Sequence, residues 1–350
     1  MSDTPGRDDP AGLDSFGVPG PLTPCEPAQP ARRRRRRLRI ALATLASFVV
    51  LAGGVVAGGY AYVNHLAGSI QRIPVSFTQL DAANHSSRAM TVLITGAGIG
   101  PTGVPVTGTA PNSSGLIMLL HINADQQAGG VVSIPPQTIV RIPGHGRTEI
   151  NNALALGGPT LLVRTVELLT HVQIEHYARI DFTHVANVVN VVGGVNVVLP
   201  ETTSSFGHTF HIGVNHLNGI TALYYARQTS LTQEGRVLRQ QSLIRAVLHK
   251  LANRHLLTRP LTMVHVLNAL IRMLTVDSNF TNSELERLAT ELGGLSSRAG
   301  TFVTAPTHMY RGQVRLDRAI SRRLWAAIRQ DSIAAFARRY PFTVTPVAPQ

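Results

Sequence analysis

The sequence holds one cysteine, Cys25, in 350 residues, which excludes any internal disulfide. No internal repeat is present, which excludes solenoids and propellers. Serines are plentiful, yet no nucleophile-elbow sequence surrounds any of them, and no Ser-His-Asp arrangement can be argued. A helix is also missing where a dinucleotide loop would need one. Gly96, Gly98 and Gly100 follow a strand-like run, Thr91 to Thr95, but Pro101, Gly103 and Pro105 come next and block the helix whose amides would hold a pyrophosphate. Charged residues are sparse, at 15% of the chain. Hydrophobic residues, by contrast, reach 44%, enough for one large core or two small ones.

The formal charge is +13 and has three separate sources. Residues 1–39 carry eight arginines against five acids, residues 299–350 carry eight arginines against Asp317 and Asp331, and the rest is spread between. No single basic stripe reads as a nucleic-acid footprint. The first thirty-one residues are rich in Pro, Gly and Asp, show no hydrophobic period, and are expected to be disordered. An arginine run from Arg32 to Arg39 then abuts an uncharged apolar run from Ile40 to Val63. About 20 apolar residues cross a bilayer as a helix, and arginines just before them stay on the cytoplasmic side. A cleaved signal peptide has a shorter apolar region and a shorter leader, and a nuclear patch has no reason to abut the apolar run. The expectation is a cell-membrane protein with a single-pass anchor, a cytoplasmic N-terminus and an extracytoplasmic main domain. Without cysteine, that domain is held by its core alone.

Residues 64–89 read as a polar connector. Apolar runs of strand length follow at Thr91 to Thr95, Gly115 to Ile122 and Val131 to Ile134, the last two suited to strands covered on both faces. A helical stripe of Leu161, Leu162, Val166, Leu169 and Val172 comes after a Gly-Gly-Pro start. Then YARIDF reads as strand, THVANVVNVV as helix and VNVVLP as strand. Helices are expected at 236–253, 260–275 and 281–293, a last strand near Phe302, and one amphipathic helix from Leu316 to Arg339 burying Leu324, Trp325, Ile328, Ile333 and Phe336. The alternation predicts an α/β fold with a mixed central sheet flanked by helices.

Within this frame, Arg227, Arg236 and Arg239 fall within about one helical turn and a loop of one another, beside Gln240 and Gln241. A guanidinium is permanently charged and presents a planar fork of donors, so the cluster suits phosphate or pyrophosphate oxygens. It reads equally as the solvated face of a helix that begins near Glu234. His208, His211 and His216, with Glu201 just before, are close enough in sequence to ligate zinc, but their spacing matches no zinc motif and no metal is assigned to them. His121 and His176, in or beside apolar strands, read as packed structural residues.

The succession LIMLLHIN, VVSIP, RIPGHG, LGGP, IEHYARIDF, VVGGVNVVLP, HLNGITALYYAR and GRVLRQQ, after a strand with a glycine turn, resembles the LytR-CpsA-Psr family of bacterial envelope proteins. The likeness runs from about Thr91 to Gln241 and more loosely to Arg339. It implies an α/β domain behind one membrane anchor. It also implies transfer of a wall glycopolymer from a polyprenyl pyrophosphate carrier to peptidoglycan, with the pyrophosphate held by arginines and magnesium. Arg227, Arg236, Arg239 and Gln240 stand where that family's pyrophosphate ligands would be, while Gly98 and Gly115 replace its usual aspartates. Neither glycine can supply magnesium with a carboxylate, and Glu149 and Asp125 are the candidates to substitute. Two readings follow: a glycopolymer phosphotransferase with an altered metal site, or a catalytically inactive scaffold that binds the same polyprenyl-phosphate-linked glycan. The expected organisation is a tail (1–39), an anchor (40–63), a connector (64–89), the family-like domain (90–298), a C-terminal strand and helix packed on it (299–340), and a tail (341–350).

Overall fold

The computed structural model describes residues 65, 68–77, 89–97, 114–125, 129–226, 228, 233–251, 260–297 and 301–344. The expected tail at 1–39, the anchor at 40–63 and the glycine turn at Gly98 and Gly100 lie outside these residues.

The strands, in chain order, are β1 (Gln71–Ile73), β2 (Met90–Ala97), β3 (Ser114–Ile122), β4 (Gly129–Ser133), β5 (Ile139–Ile142), β6 (Gly146–Glu149), β7 (His176–Asp181), β8 (Val195–Leu199), β9 (Thr203–Ser205), β10 (His208–Phe210), β11 (Gly213–Leu217), β12 (Leu274–Asp277), β13 (Thr301–Thr304), β14 (Thr307–Tyr310) and β15 (Gln313–Leu316). The helices are α1 (Asn152–Thr170), α2 (Phe182–Val191), α3 (Gly219–Ala226), α4 (Gln233–Leu251), α5 (Pro260–Met273), α6 (Asn282–Ser297), α7 (Arg318–Arg329) and α8 (Ile333–Arg339). Seven strands form one mixed sheet in the order β1-β12-β7-β2-β3-β4-β13, and the others pair as hairpins or short ribbons. The expected α/β architecture with a mixed, helix-flanked sheet is thus present.

Alternation along the strands explains the layers. In β3, Leu116, Met118 and Leu120 face one core and Ile117 and Leu119 the other, all nearly inaccessible to water. The first core is roofed by α2, α3, α4 and α5, the second by α1, α7 and α8. A strand with both faces covered needs a continuous apolar run, and LIMLLHI supplies it.

Several elements differ from the sequence reading, each for a tertiary reason. The expected helix at 260–275 ends at Met273, because Leu274–Asp277 becomes β12, antiparallel to β7. Asp277 is fully buried there and accepts the Tyr177 amide at 2.9 Å and the Asn279 amide at 2.9 Å. Inside the expected connector, Gln71–Ile73 pairs in parallel with β12 at the sheet edge, a strand too short to show a period. The helix expected after Gly-Gly-Pro does open at Pro159, but a further helical segment from Asn152 precedes it, the two joined in α1 by a kink where Gly157 and Gly158 leave helical geometry. Among the described residues α1 alone has the length and apolarity to cross a membrane, and it packs into the core.

The single helix expected from Leu316 to Arg339 is two helices after a hairpin strand. Arg311 (φ 48°) and Gly312 (φ 74°) make the two-residue turn between β14 and β15. Asp317 caps α7 by accepting the Ala319 and Ile320 amides at 2.9 and 3.0 Å. The helix breaks at Asp331, held at φ 54°, whose carboxylate meets His121 Nε2 at 2.7 Å and the Ala124 amide at 3.0 Å. The five side chains expected to be buried on this segment are all buried. Beyond Arg339, Pro341–Thr343 form a 3-10 turn and Val344 bridges to Val303, so the expected tail begins as part of the fold.

Candidate anion-binding site

The register fixes which groups meet at one end of the sheet. β2, β7, β4 and β13 all terminate there: Ala97 stands beside Asp181 and Ser114, and Ser133 beside Thr304. In open α/β sheets the carboxyl ends of strands are where ligands bind, because connecting loops diverge there and leave a crevice. The chain enters the sheet at Gln71 from this same end, opposite Thr275.

Helix α4 reaches this end through Gln241. Gln241 is fully buried, and its amide lies 3.2 Å from Thr304 Oγ1. Two residues earlier, Arg239 is 8% exposed, unusual for an arginine with no carboxylate in hydrogen-bond contact among the described residues. Its Nη2 donates to Thr203 Oγ1 at 3.0 Å, and its guanidinium carbon lies 4.9 Å above the Tyr225 ring. The same threonine donates to Gln228 Oε1 at 3.3 Å, and Gln228 Nε2 donates to the Ser204 carbonyl at 3.1 Å. β9, α3 and α4 therefore hold the guanidinium in one orientation. Burial lowers the Arg239 pKa, while the Tyr225 hydroxyl and the Glu201 carboxylate oppose that shift. Burial likewise raises the Tyr225 phenol, against the nearby Arg239 charge and a hydrogen bond with Ser242.

Arg239 Nη1 and Gln240 Oε1 are buried without a hydrogen-bond partner among the described residues. A buried guanidinium nitrogen left unpaired is costly, on the order of 1–3 kcal/mol. Such a nitrogen beside an aromatic face and a fixed Thr-Gln pair is suited to an anionic oxygen acceptor.

Of the other residues the sequence pointed to, Arg227 lies outside the described residues. Position 236 is three residues before Arg239 on α4, but its side chain is not among those described. The sequence reading missed Thr203, Tyr225 and Gln228. The motif HLNGITALYYAR contains Tyr225 but gives no sign that its ring faces an arginine. Gly115, the second residue of β3, is exposed, and an added Cβ there would meet nothing within 4 Å. Asp125 follows β3 at the far end of the sheet, where His121 faces Thr91, and is not placed to substitute for a carboxylate here. Glu149 lies in β6 opposite Ile139. Asp181 reaches the correct end, with its carboxylate 3.3 Å from His184 Nδ1.

Among the described residues no group of three or more His, Cys, Asp or Glu side chains is placed to hold a metal ion. Among the described residues, position 115 offers a magnesium ion no carboxylate, and the Asp181 carboxylate lies beside His184. His208 lies edge-on to Phe210 in β10, the His211 amide donates to Asn215 Oδ1 at 3.0 Å, and His216 Nδ1 lies 2.8 Å from Asn196 Oδ1. The two strand histidines are buried and bonded. His176 stacks on Phe280 at 3.9 Å beside Asp277, and His121 bridges Thr91 and Asp331.

The two cores and the central sheet define a three-layer α/β domain, with a buried guanidinium held in one orientation on α4. The family model described as the LytR_cpsA_psr family matches residues 63–315, and the chain belongs to that family. It is 32% identical over 182 residues to the probable cell wall biosynthesis protein LcpB of Corynebacterium glutamicum, covering 51% of this chain and 44% of that protein. It is 30% identical over 198 residues to the polyisoprenyl-teichoic acid–peptidoglycan teichoic acid transferase TagU of Oceanobacillus iheyensis, covering 54% and 60% respectively. The chain thus spans about half the length of these curated relatives. Among solved structures, the LytR-Csp2A-Psr enzyme from Actinomyces oris superposes with a TM-score of 0.60 at 19% identity, covering 74% of this chain and 95% of that one. TagT bound to LIIa-WTA gives 0.56 at 20% identity, covering 75% and 100%. At these identities the structures speak for the fold.

Proposed function

We propose that this chain is a membrane-anchored, extracytoplasmic protein of cell-wall assembly that binds a polyprenyl-(pyro)phosphate-linked glycopolymer and passes it to peptidoglycan. The observation that carries the reading is Arg239, buried and held by Thr203 against the Tyr225 ring, with one nitrogen unpaired among the described residues. Arg227, Arg236 and Gln240 complete the proposed pyrophosphate cradle. The names of the TagU relatives supply the reaction class. In that reaction an acceptor hydroxyl oxygen bonds to the phosphorus bearing the sugar, the bridging P–O bond breaks, and polyprenyl phosphate leaves. The proton of the hydroxyl passes to solvent. Arg239 would hold the negative charge gathering on the leaving phosphate, a role suited to a fixed donor in a partly desolvated site. The anchor is the apolar run at 40–63, with the arginines before it cytoplasmic and no nucleic acid within reach of the domain.

A second reading, binding without transfer, is favoured by Gly115, where the family motif has a carboxylate and this chain has none. Native mass spectrometry of the full chain in detergent with a long-chain isoprenyl diphosphate, with and without magnesium, separates the two. Magnesium-dependent release of lipid monophosphate supports transfer, and retention of intact diphosphate supports binding alone. Absence of any bound lipid refutes both.

A further inference from the structure

We infer that the C-terminal helices form a second anion site, a surface that docks an anionic glycan polymer on the opposite side of the sheet from Arg239. Helices α7 and α8 roof the second core, whereas α3 and α4 lie over the first. Between Thr301 and Val344 the acids are Asp317 and Asp331, and both are committed internally, one to the α7 cap and the other to His121 and the Ala124 amide. The ion pairs among the described residues engage none of the arginines of this segment. An ordinary solvated helix face intersperses both signs; this one has a single sign.

The arginines are also arranged. Arg318 and Arg322 are one turn apart on α7, both exposed, and Arg322 Nε donates to the Arg318 carbonyl at 3.2 Å. Arg323 Nη1 donates to the Tyr340 hydroxyl at 2.7 Å, and the Arg339 guanidinium carbon lies 6.0 Å from the centre of the same ring. Phe342 meets Tyr340 edge-on at 6.1 Å and is 69% exposed. Planar forks beside aromatic faces suit a chain that alternates sugar rings, which stack, with phosphates or carboxylates, which accept bidentate hydrogen bonds. A bilayer surface is the poorer match, since interfacial binding grows with buried apolar area and Phe342 is the one large, strongly exposed apolar side chain in this cluster.

The inference goes beyond the Arg239 reading and stands on other residues, so the two fail separately. The test is anisotropy of fluorescein-labelled poly(glycerol phosphate) and polygalacturonate, with dextran as the neutral control, on the full chain in phosphatidylcholine nanodiscs. Combined Arg322→Gln, Arg323→Gln and Arg339→Gln should weaken binding about tenfold or more and flatten its salt dependence. The corresponding Arg→Lys variant, which keeps the charge but not the planar fork, should recover part of the affinity. Equal binding by wild type and the Gln variant would overturn the proposal, as would no binding by wild type. Hydrogen-exchange protection of residues 318–343 by phosphatidylglycerol nanodiscs, with none from either polymer, would overturn it in favour of a bilayer contact.

Discussion

Replacing Arg239 with alanine separates what the guanidinium does for the fold from what it does for a ligand. For the fold, the variant loses the 3.0 Å bond to Thr203 and the stacking over Tyr225, together about 1–2 kcal/mol. It also relieves a buried charge and its unpaired Nη1, which returns a similar amount. Thr203 remains bonded to Gln228, so no new orphan is created there. Net stability should change by about 1 kcal/mol or less, a Tm shift of a few degrees at most. For the ligand, a charge-assisted hydrogen bond contributes about 1.5–3 kcal/mol, so diphosphate affinity should fall about 10- to 150-fold. Isothermal titration of farnesyl diphosphate into the full chain in detergent, beside scanning calorimetry, measures both. Arg239→Lys should recover part of the affinity, because the charge returns without the planar fork. Unchanged affinity with an intact fold would remove Arg239 from the site. A Tm drop of ten degrees or more would make its role structural.

Asp277→Ala should cost about 3–5 kcal/mol in urea denaturation, since it strands the buried amide of Tyr177 and the buried His176 ring; a loss under 1 kcal/mol would refute this. Glu175 titrates against the fold: burial raises its pKa from near 4.5 to about 7, although the Thr91 amide at 2.7 Å opposes the shift. The folded state therefore holds the proton more tightly, and stability from this group falls as pH rises from about 4.5 to 7, with the penalty complete above 7. Glu175→Gln should be more stable than wild type at pH 8 by about 2 kcal/mol, after discounting for partial exposure, with the gap closing toward pH 4.5; an equal gap at both pH values would refute the assignment. Gly115→Asp meets open space, so its Tm should match wild type, and magnesium-dependent release of lipid monophosphate should rise. No rise would mean that the missing carboxylate at 115 is not what limits turnover.

Local and long-range determinants of this fold divide along a physical line. Continuous apolar runs such as Leu116–Ile122 and the 3.6-residue stripe of α7 are local signals, so the sequence by itself determined the alternating α/β order and most of the buried face at Leu324, Trp325, Ile328, Ile333 and Phe336. It also marked Arg239 as a candidate, because clustered guanidiniums are visible in one dimension. Partners distant in sequence are not visible there. β12 exists because Leu274–Asp277 finds β7 almost a hundred residues away, and α7 stops because Asp331 finds His121 of β3, some two hundred residues before it. Only the tertiary structure decided that Arg239 is buried against Tyr225 and Thr203, that Asp125 lies at the far end, and that both acids of the C-terminal segment are already spoken for. Propensity and hydrophobic period act over a few residues, whereas burial and hydrogen-bond satisfaction depend on which distant groups the fold brings together.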